Sequence, residues 1–152
     1  MKKISFLLFC VVLSLSFSLA QEADKVCLNK EIYISVKFLD PVNSKTCNIP
    51  RAVIAGDVYD EWGEHLLIKA GTVVDIQLNC RRGTLVGDVG RIEVVAISTK
   101  AVDGRLIQFD SEPAIFNGNE ALFVSRSQVK LKEGTTFQAK TLNDYCFRRV
   151  AE

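Results

Sequence analysis

The chain has 152 residues, 48% of them apolar, and 19 Lys and Arg offset 18 Asp and Glu to give a formal charge of +1. That length has the size of a single domain. The apolar share excludes intrinsic disorder, and the balanced charge excludes a polybasic nucleic-acid arm or an acidic tail. No apolar run reaches the length of an internal membrane span, which leaves a small soluble domain behind an export signal.

Met1-Lys2-Lys3 is a positive start, and Ile4 to Ala20 is an apolar stretch rich in Leu, Phe, Val and Ser. Ser18-Leu19-Ala20 puts small residues at the two positions a signal peptidase reads, ahead of polar Gln21-Glu22. Residues 1–20 read as a secretory signal peptide cleaved after Ala20, and 21–152 as a single β domain with no transmembrane segment. The two-lysine start is of the bacterial kind, so the expected destination is the periplasm or the cell surface. Cleavage takes Lys2 and Lys3 away and leaves 132 residues with 17 Lys and Arg against 18 Asp and Glu. The mature domain is then close to neutral and has no electrostatic footprint for nucleic acid or anionic lipid.

Cys10 leaves with the leader, so Cys27, Cys47, Cys80 and Cys146 remain. Four cysteines in an exported domain predict disulfides, with three possible connectivities. Cys27 and Cys146 sit at the two ends of the mature domain, where a bridge would clasp the termini and leave Cys47 to Cys80. There is no C-x-x-C and the only histidine is His65, so neither a zinc site nor a thioredoxin-type redox pair is predicted.

Glu31 to Leu39 alternates, with Ile32, Ile34, Val36 and Phe38 on one face, and predicts a half-buried antiparallel strand. A turn-rich break follows from Asp40-Pro41 to Lys45. Ala52 to Tyr59 predicts a second strand with Gly56 marking a bulge or a close approach. Asp60-Glu61-Trp62-Gly63 reads as a tight hairpin loop, from which His65 to Lys69 pairs back. Thr72 to Cys80 alternates again, with Val74, Ile76, Leu78 and Cys80 on one side.

A three-glycine stretch spans 83–90, Arg91 to Thr99 predicts a strand, and Asp103-Gly104 is a hairpin signal before Arg105 to Asp110. Ser111 to Glu120 reads as a loop with a helical turn. Leu122 to Ser125, Gln128 to Leu131 and Thr135 to Leu142 are further short strands. About eight strands without a helical period predict an all-β fold, a small antiparallel β-sandwich or a partly closed β-barrel.

One internal echo stands out. Ile68-Lys69-Ala70-Gly71-Thr72 recurs as Leu131-Lys132-Glu133-Gly134-Thr135, and both are followed by alternating core residues. If the echo is structural rather than common turn chemistry, it predicts two related β-arches packed across one core.

No catalytic set is visible. Asp57, Asp60, Glu61, Glu64 and His65 cluster around the hairpin, where acidic residues are expected because the tip is solvated, and no metal or other cofactor is assigned to them. The lone histidine lacks the partners of a nucleophilic triad, and G-x-S-x-G is absent. The glycine stretch has the wrong spacing for a phosphate cradle. Arg81, Arg82 and Arg91 are candidates for an anion or acidic polymer, against the plainer role of keeping a sheet edge soluble. Trp62, with Tyr59 nearby, is expected to pack across its hairpin; exposed, it would anchor a protein partner or a sugar.

Ala52-Val53-Ile54-Ala55-Gly56-Asp57-Val58-Tyr59-Asp60, Gly63, Leu66-Leu67-Ile68-Lys69-Ala70-Gly71-Thr72, Gly90-Arg91-Ile92 and Val102-Asp103-Gly104-Arg105-Leu106-Ile107 together resemble a recurrent exported bacterial β-domain of uncharacterised function. Leu39-Asp40-Pro41-Val42-Asn43-Ser44-Lys45 and Gly134-Thr135-Thr136-Phe137-Gln138-Ala139 also fit, so the pattern covers roughly 31–141. Its centre is similar to the TrbI-like C-terminal barrel of conjugation and type IV secretion channels, a scaffold of the outer-membrane complex. The chain shows no transmembrane helix, Pro-rich linker or amphipathic helical insertion of the kind that scaffold carries. The resemblance therefore implies a shared β-fold and an envelope location, and it brings no catalytic residues with it. The expected function is a non-enzymatic envelope protein, an assembly or interaction module with envelope proteins as partners, linked to a secretion or conjugation apparatus. The alternative is a periplasmic binding module for a glycan, peptide or anionic ligand.

Overall fold

Side chains that alternate between apolar and polar can bury one face of a strand and solvate the other, and this pattern organises the chain. The computed structural model describes residues 25–84, 89–118 and 128–148. The predicted leader at 1–20, the strand expected at Leu122–Ser125 and residues 85–88 of the glycine stretch lie outside them. No α-helix occurs among the described residues.

The strands, in chain order, are β1 (Lys25–Leu28), β2 (Tyr33–Phe38), β3 (Val42–Asn43), β4 (Ala52–Ile54), β5 (Val58–Tyr59), β6 (Leu66–Ile68) and β7 (Val73–Arg81). They continue with β8 (Arg91–Lys100), β9 (Leu106–Gln108), β10 (Ala114–Asn117), β11 (Lys130–Leu131), β12 (Thr136–Lys140) and β13 (Tyr145–Arg148). All described pairings are antiparallel.

The principal sheet runs β10-β8-β7-β4-β2-β12, with β9 also paired to β8. Its two ends meet. Phe109, just past β9, bridges Thr141, just past β12. The Asp110 N–H donates to the Lys140 carbonyl at 2.7 Å, and the Leu142 N–H to the Gln108 carbonyl at 3.1 Å. β8, β7, β4, β2, β12 and β9 thus curl into a ring whose last seam is short, so the partly closed barrel is the better description of the two expected. Inside lie Val36, Phe38, Ile54, Ile68, Ile92, Val94 and Ile107, all buried. Phe38 and Phe137 stack at 5.2 Å between ring centroids, within the range favoured by tilted aromatic pairs.

The internal echo is a repeated corner. Gly71 and Gly134 both have φ of +83°, a conformation that costs an L side chain. In each turn the threonine hydroxyl donates to the lysine carbonyl three residues back, Thr72 to Lys69 and Thr135 to Lys132, both at 2.7 Å. Each corner also docks on its neighbour by a reciprocal pair of backbone bonds. Ile54 donates to the Thr72 carbonyl and accepts from Gly71; Phe38 donates to the Thr135 carbonyl and accepts from Gly134. Around these corners β5 pairs with β6 and β3 with β11 as short equivalent ribbons.

Several elements differ from the sequence expectation. The strand predicted over Ala52–Tyr59 is two, β4 and β5, because the chain bends through Ala55–Asp57. The loop predicted over Ser111–Glu120 contains β10, which lines up beside Arg91–Val94 of β8. The break after Leu39 contains β3. Asp40 there accepts from the Arg51 guanidinium at 2.9 and 2.8 Å and from its backbone N–H at 3.0 Å, which holds its carboxyl down at about 2.

Two disulfides join Cys27 to Cys146 and Cys47 to Cys80, the pairing that the terminal positions of Cys27 and Cys146 favoured. The first crosses the β1–β13 ribbon, which buries Leu28 and Phe147 against the core. The second ties the loop after β3 to the end of β7, with Cys47 itself in the left-handed region at φ 48°.

The corner geometry makes a stability prediction with opposite signs at different glycines. Gly71→Ala and Gly134→Ala are each expected to destabilise by about 1–2 kcal/mol, the cost of placing an L side chain in that region. Gly56→Ala, with no positive φ and nothing within 4 Å of an added Cβ, is expected to be neutral or to stabilise by up to about 1 kcal/mol. Urea denaturation of the three variants checks this.

Candidate functional site

The β5–β6 hairpin is held at its tip by one buried carboxylate. The Asp60 side chain is 3% exposed and takes three hydrogen-bonding contacts. Its Oδ1 accepts from the backbone N–H groups of Glu64 at 2.7 Å and His65 at 3.1 Å, and its Oδ2 lies 2.9 Å from His65 Nδ1. The Asp60 backbone carbonyl in addition accepts from the Gly63 N–H at 3.0 Å. Burial pushes the Asp60 carboxyl upward, but the hydrogen bonds from the His65 ring and then from the His65 and Glu64 backbone outweigh it, so the group sits below the usual aspartate range. The acidic tip is therefore not simply a solvated turn. Asp57 is used in a similar way: its Oδ1 accepts from the Ala70 N–H at 2.7 Å and braces the first of the two corners.

With the tip fixed from within, Trp62 points outward and is 79% exposed, which corrects the expectation that it packs across its own hairpin. Asp60, buried at the base of the loop, takes the interior position through its polar bonds. Trp62 stands on one wall of a groove of about 470 Å³, with Asp60, Glu61, Glu64 and His65 on the same wall. The opposite wall is Lys25, Val26 and Cys27 of β1, with Asn29 just beyond.

The other residues singled out from sequence do not join this groove. Tyr59 is half-exposed on β5 opposite Leu66. Arg81 and Arg91 face each other across β7 and β8, and Arg91 is paired to Glu93 at 2.8 Å with its Nε buried and lacking an acceptor among the described residues. Arg82 donates from Nε and Nη2 to the Lys45 carbonyl at 3.2 and 2.8 Å, beside the Cys47–Cys80 bridge. Two of the three arginines are thus turned to different internal partners rather than to a common anion. Among the described residues no group of three or more His, Cys, Asp or Glu side chains is arranged to hold a metal ion.

Sequence reasoning missed Asp60 as an organiser and missed the β1 wall altogether. The spacing Asp60-x-x-x-Glu64-His65, in which a carboxylate can cap the returning N–H groups of its own turn, is the signal that identifies the first. Nothing local identifies the second, because residues 25–29 meet residues 60–65 only in the folded chain.

No protein-family model matches the chain, and no curated protein matches it. Among solved structures it is similar to ComB10 of the Com type IV secretion system of Helicobacter pylori, at 17% sequence identity and a TM-score of 0.37. The match covers 56% of this chain and 44% of that one, so the chain spans less than half the length of that neighbour.

The Asp60 environment gives a pH signature. A carboxylate whose folded value is depressed contributes stability that is complete above the unfolded value of about 3.9 and disappears as pH falls through the lower folded value. Asp60→Asn is expected to lower the urea midpoint near neutral pH. The gap from the wild type should hold down to about pH 5 and close only below about pH 4. Midpoints measured across that range test it; a gap that ignores pH would mean that the charge does not hold the tip.

Proposed function

We propose that this chain is an exported, non-enzymatic module of a bacterial cell envelope that binds another envelope protein through the Trp62 hairpin and the groove beneath it. The observation that carries the reading is the display of Trp62, almost fully exposed on a loop that the buried Asp60 carboxylate makes rigid. A large aromatic side chain held out by a fixed scaffold loses little entropy on binding, and such residues dominate interface energetics.

Three further observations support it. Two disulfides fit an oxidising compartment outside the cytoplasm, in line with the leader read in residues 1–20. The buried carboxylate in the groove is engaged in structure: Asp60, held below its usual range by its hydrogen bonds, is a poor general acid or base near neutral pH. The central motif pattern, similar to the TrbI-like barrel, supports an assembly role beside a conjugation or secretion apparatus. Binding of an anionic ligand is the weaker alternative, since Arg82 and Arg91 are committed to Lys45 and Glu93.

The test is crosslinking of the tagged full chain in the envelope of its own host, followed by identification of what it captures. Trp62→Ala is expected to lose a specific envelope partner while keeping the wild-type thermal midpoint, because the side chain is exposed. Recovery of the same partner by Trp62→Ala, or absence of the chain from the envelope fraction, overturns the reading.

A further inference from the structure

In the β1–β13 ribbon Cys27 stands directly opposite Cys146, with 4.0 Å between their Cα atoms. Antiparallel pairs that exchange hydrogen bonds are about 5.5 Å apart and those that do not are about 4.5 Å apart, so this is a non-bonded pair. The two kinds alternate along a ladder. Val26 and Leu28 therefore bond to β13, and the backbone N–H and C=O groups of Lys25 and Cys27 point the other way.

On that other side β1 has no strand neighbour among the described residues. That is also where the groove lies, since three successive residues of β1 line it and no described residue of β13 does. An unpaired strand edge is a template for a further strand. The wall across from this edge carries the carboxylates of Asp60, Glu61 and Glu64 and the Trp62 ring, against the single ammonium of Lys25 and the His65 ring that Asp60 holds.

We propose that the groove takes an extended, lysine- or arginine-bearing segment of a partner protein, which adds to β1 as a strand and lays a basic side chain on Trp62 beside Glu61 and Glu64. This rests on the interaction reading above and adds the partner's chemistry to it. Main-chain bonds to Lys25 and Cys27 supply affinity that is indifferent to sequence. Alternate side chains of the added strand face the hairpin, where a cation meets both an indole face and two carboxylates. At about 3.4 Å per residue, the four residues of β1 match a partner segment of four to five residues.

Trp62 is the only tryptophan of the chain, so its fluorescence reports on this groove alone. The oxidised full-length mature chain is titrated with the capped peptide acetyl-Thr-Lys-Val-Lys-Thr-Val-amide, with the same peptide carrying Glu for Lys, and with the Lys peptide N-methylated at alternate amides. Saturable binding of the Lys peptide is expected, at least about tenfold weaker for the other two and for the Glu61→Gln/Glu64→Gln double variant on the Lys peptide, a difference of about 1.4 kcal/mol. Equal binding of the Lys and Glu peptides, indifference to N-methylation, or no binding of the Lys peptide overturns the inference. So does a concentration-dependent dimer that the peptide dissociates, which would place a second copy of this chain on the edge. Should Trp62→Ala abolish partner capture in the envelope while the Lys peptide fails to bind, the interaction reading stands and the basic-strand inference falls.

Discussion

The barrel turns on two corners at which the backbone passes through the left-handed region and is then received by a neighbouring strand. Gly71 and Gly134 make the turn, and Ile54 and Phe38 receive it through paired backbone bonds of 2.9 to 3.0 Å. Ile54 and Phe38 are also among the most buried side chains. The same two residues thus join polar and apolar stabilisation: their amides satisfy the corner, and their side chains fill the ring that the corner closes. Each corner delivers its chain to a strand of the principal sheet, β7 in one case and β12 in the other. Were either to open, β4 or β2 would lose register with its partner and the buried set would lose one wall.

The first and last described strands have no place in the sheet that closes at the seam between β9 and β12. They are accommodated as a separate ribbon, β1 with β13, which a chain of four residues per strand cannot hold by hydrogen bonds alone. Leu28 and Phe147 anchor it to the core, Cys27–Cys146 bonds it covalently, and the Tyr145 hydroxyl accepts from the Gln108 N–H at 2.7 Å. Because this bridge spans a separation of 119 residues, it restricts the unfolded chain strongly, by an entropy that grows only logarithmically with loop length. The ribbon brings β1 beside the Asp60 hairpin, so the groove is a by-product of how β1 and β13 pair outside the ring.

Strands that present one face to the core were legible in sequence. Tyr33–Phe38 and Val73–Arg81 alternate in burial as they alternate in polarity, and so does Arg91–Val94, whereas at the far end of β8 Ile97 is exposed and Ser98 and Thr99 are buried. The two K-x-G-T turns were legible as turn chemistry and prove to be one structural device. β4 was harder to delimit because Ala52, Val53 and Ile54 are all buried, which erases the period of two. β3 and β11 have two residues each, too few for any pattern to form. β10 is bracketed by Pro113 and Gly118, residues that read as loop, yet its pairing with Arg91–Val94 is set by β8 and not by its own composition. The site was half legible. The tryptophan at the hairpin tip could be singled out, though not its outward display, whereas Lys25, Val26 and Asn29 carry no local mark, because what gives them a role is a pairing across more than a hundred residues.

An open edge is ordinarily a liability, because unpaired backbone groups recruit other chains indiscriminately. Here the edge is restricted on every side. It is four residues long, it begins with a charged lysine, and the opposing wall bears carboxylates that repel acidic strands and the same wall of another copy. Its register is fixed by a covalent bond, so the cost of ordering the strand is met in folding and not in binding. Together these restrictions narrow what can pair with β1 from any extended chain to one whose charge suits the hairpin, and they make the rigidity of Asp60 and of the terminal disulfide as much a matter of selectivity as of stability.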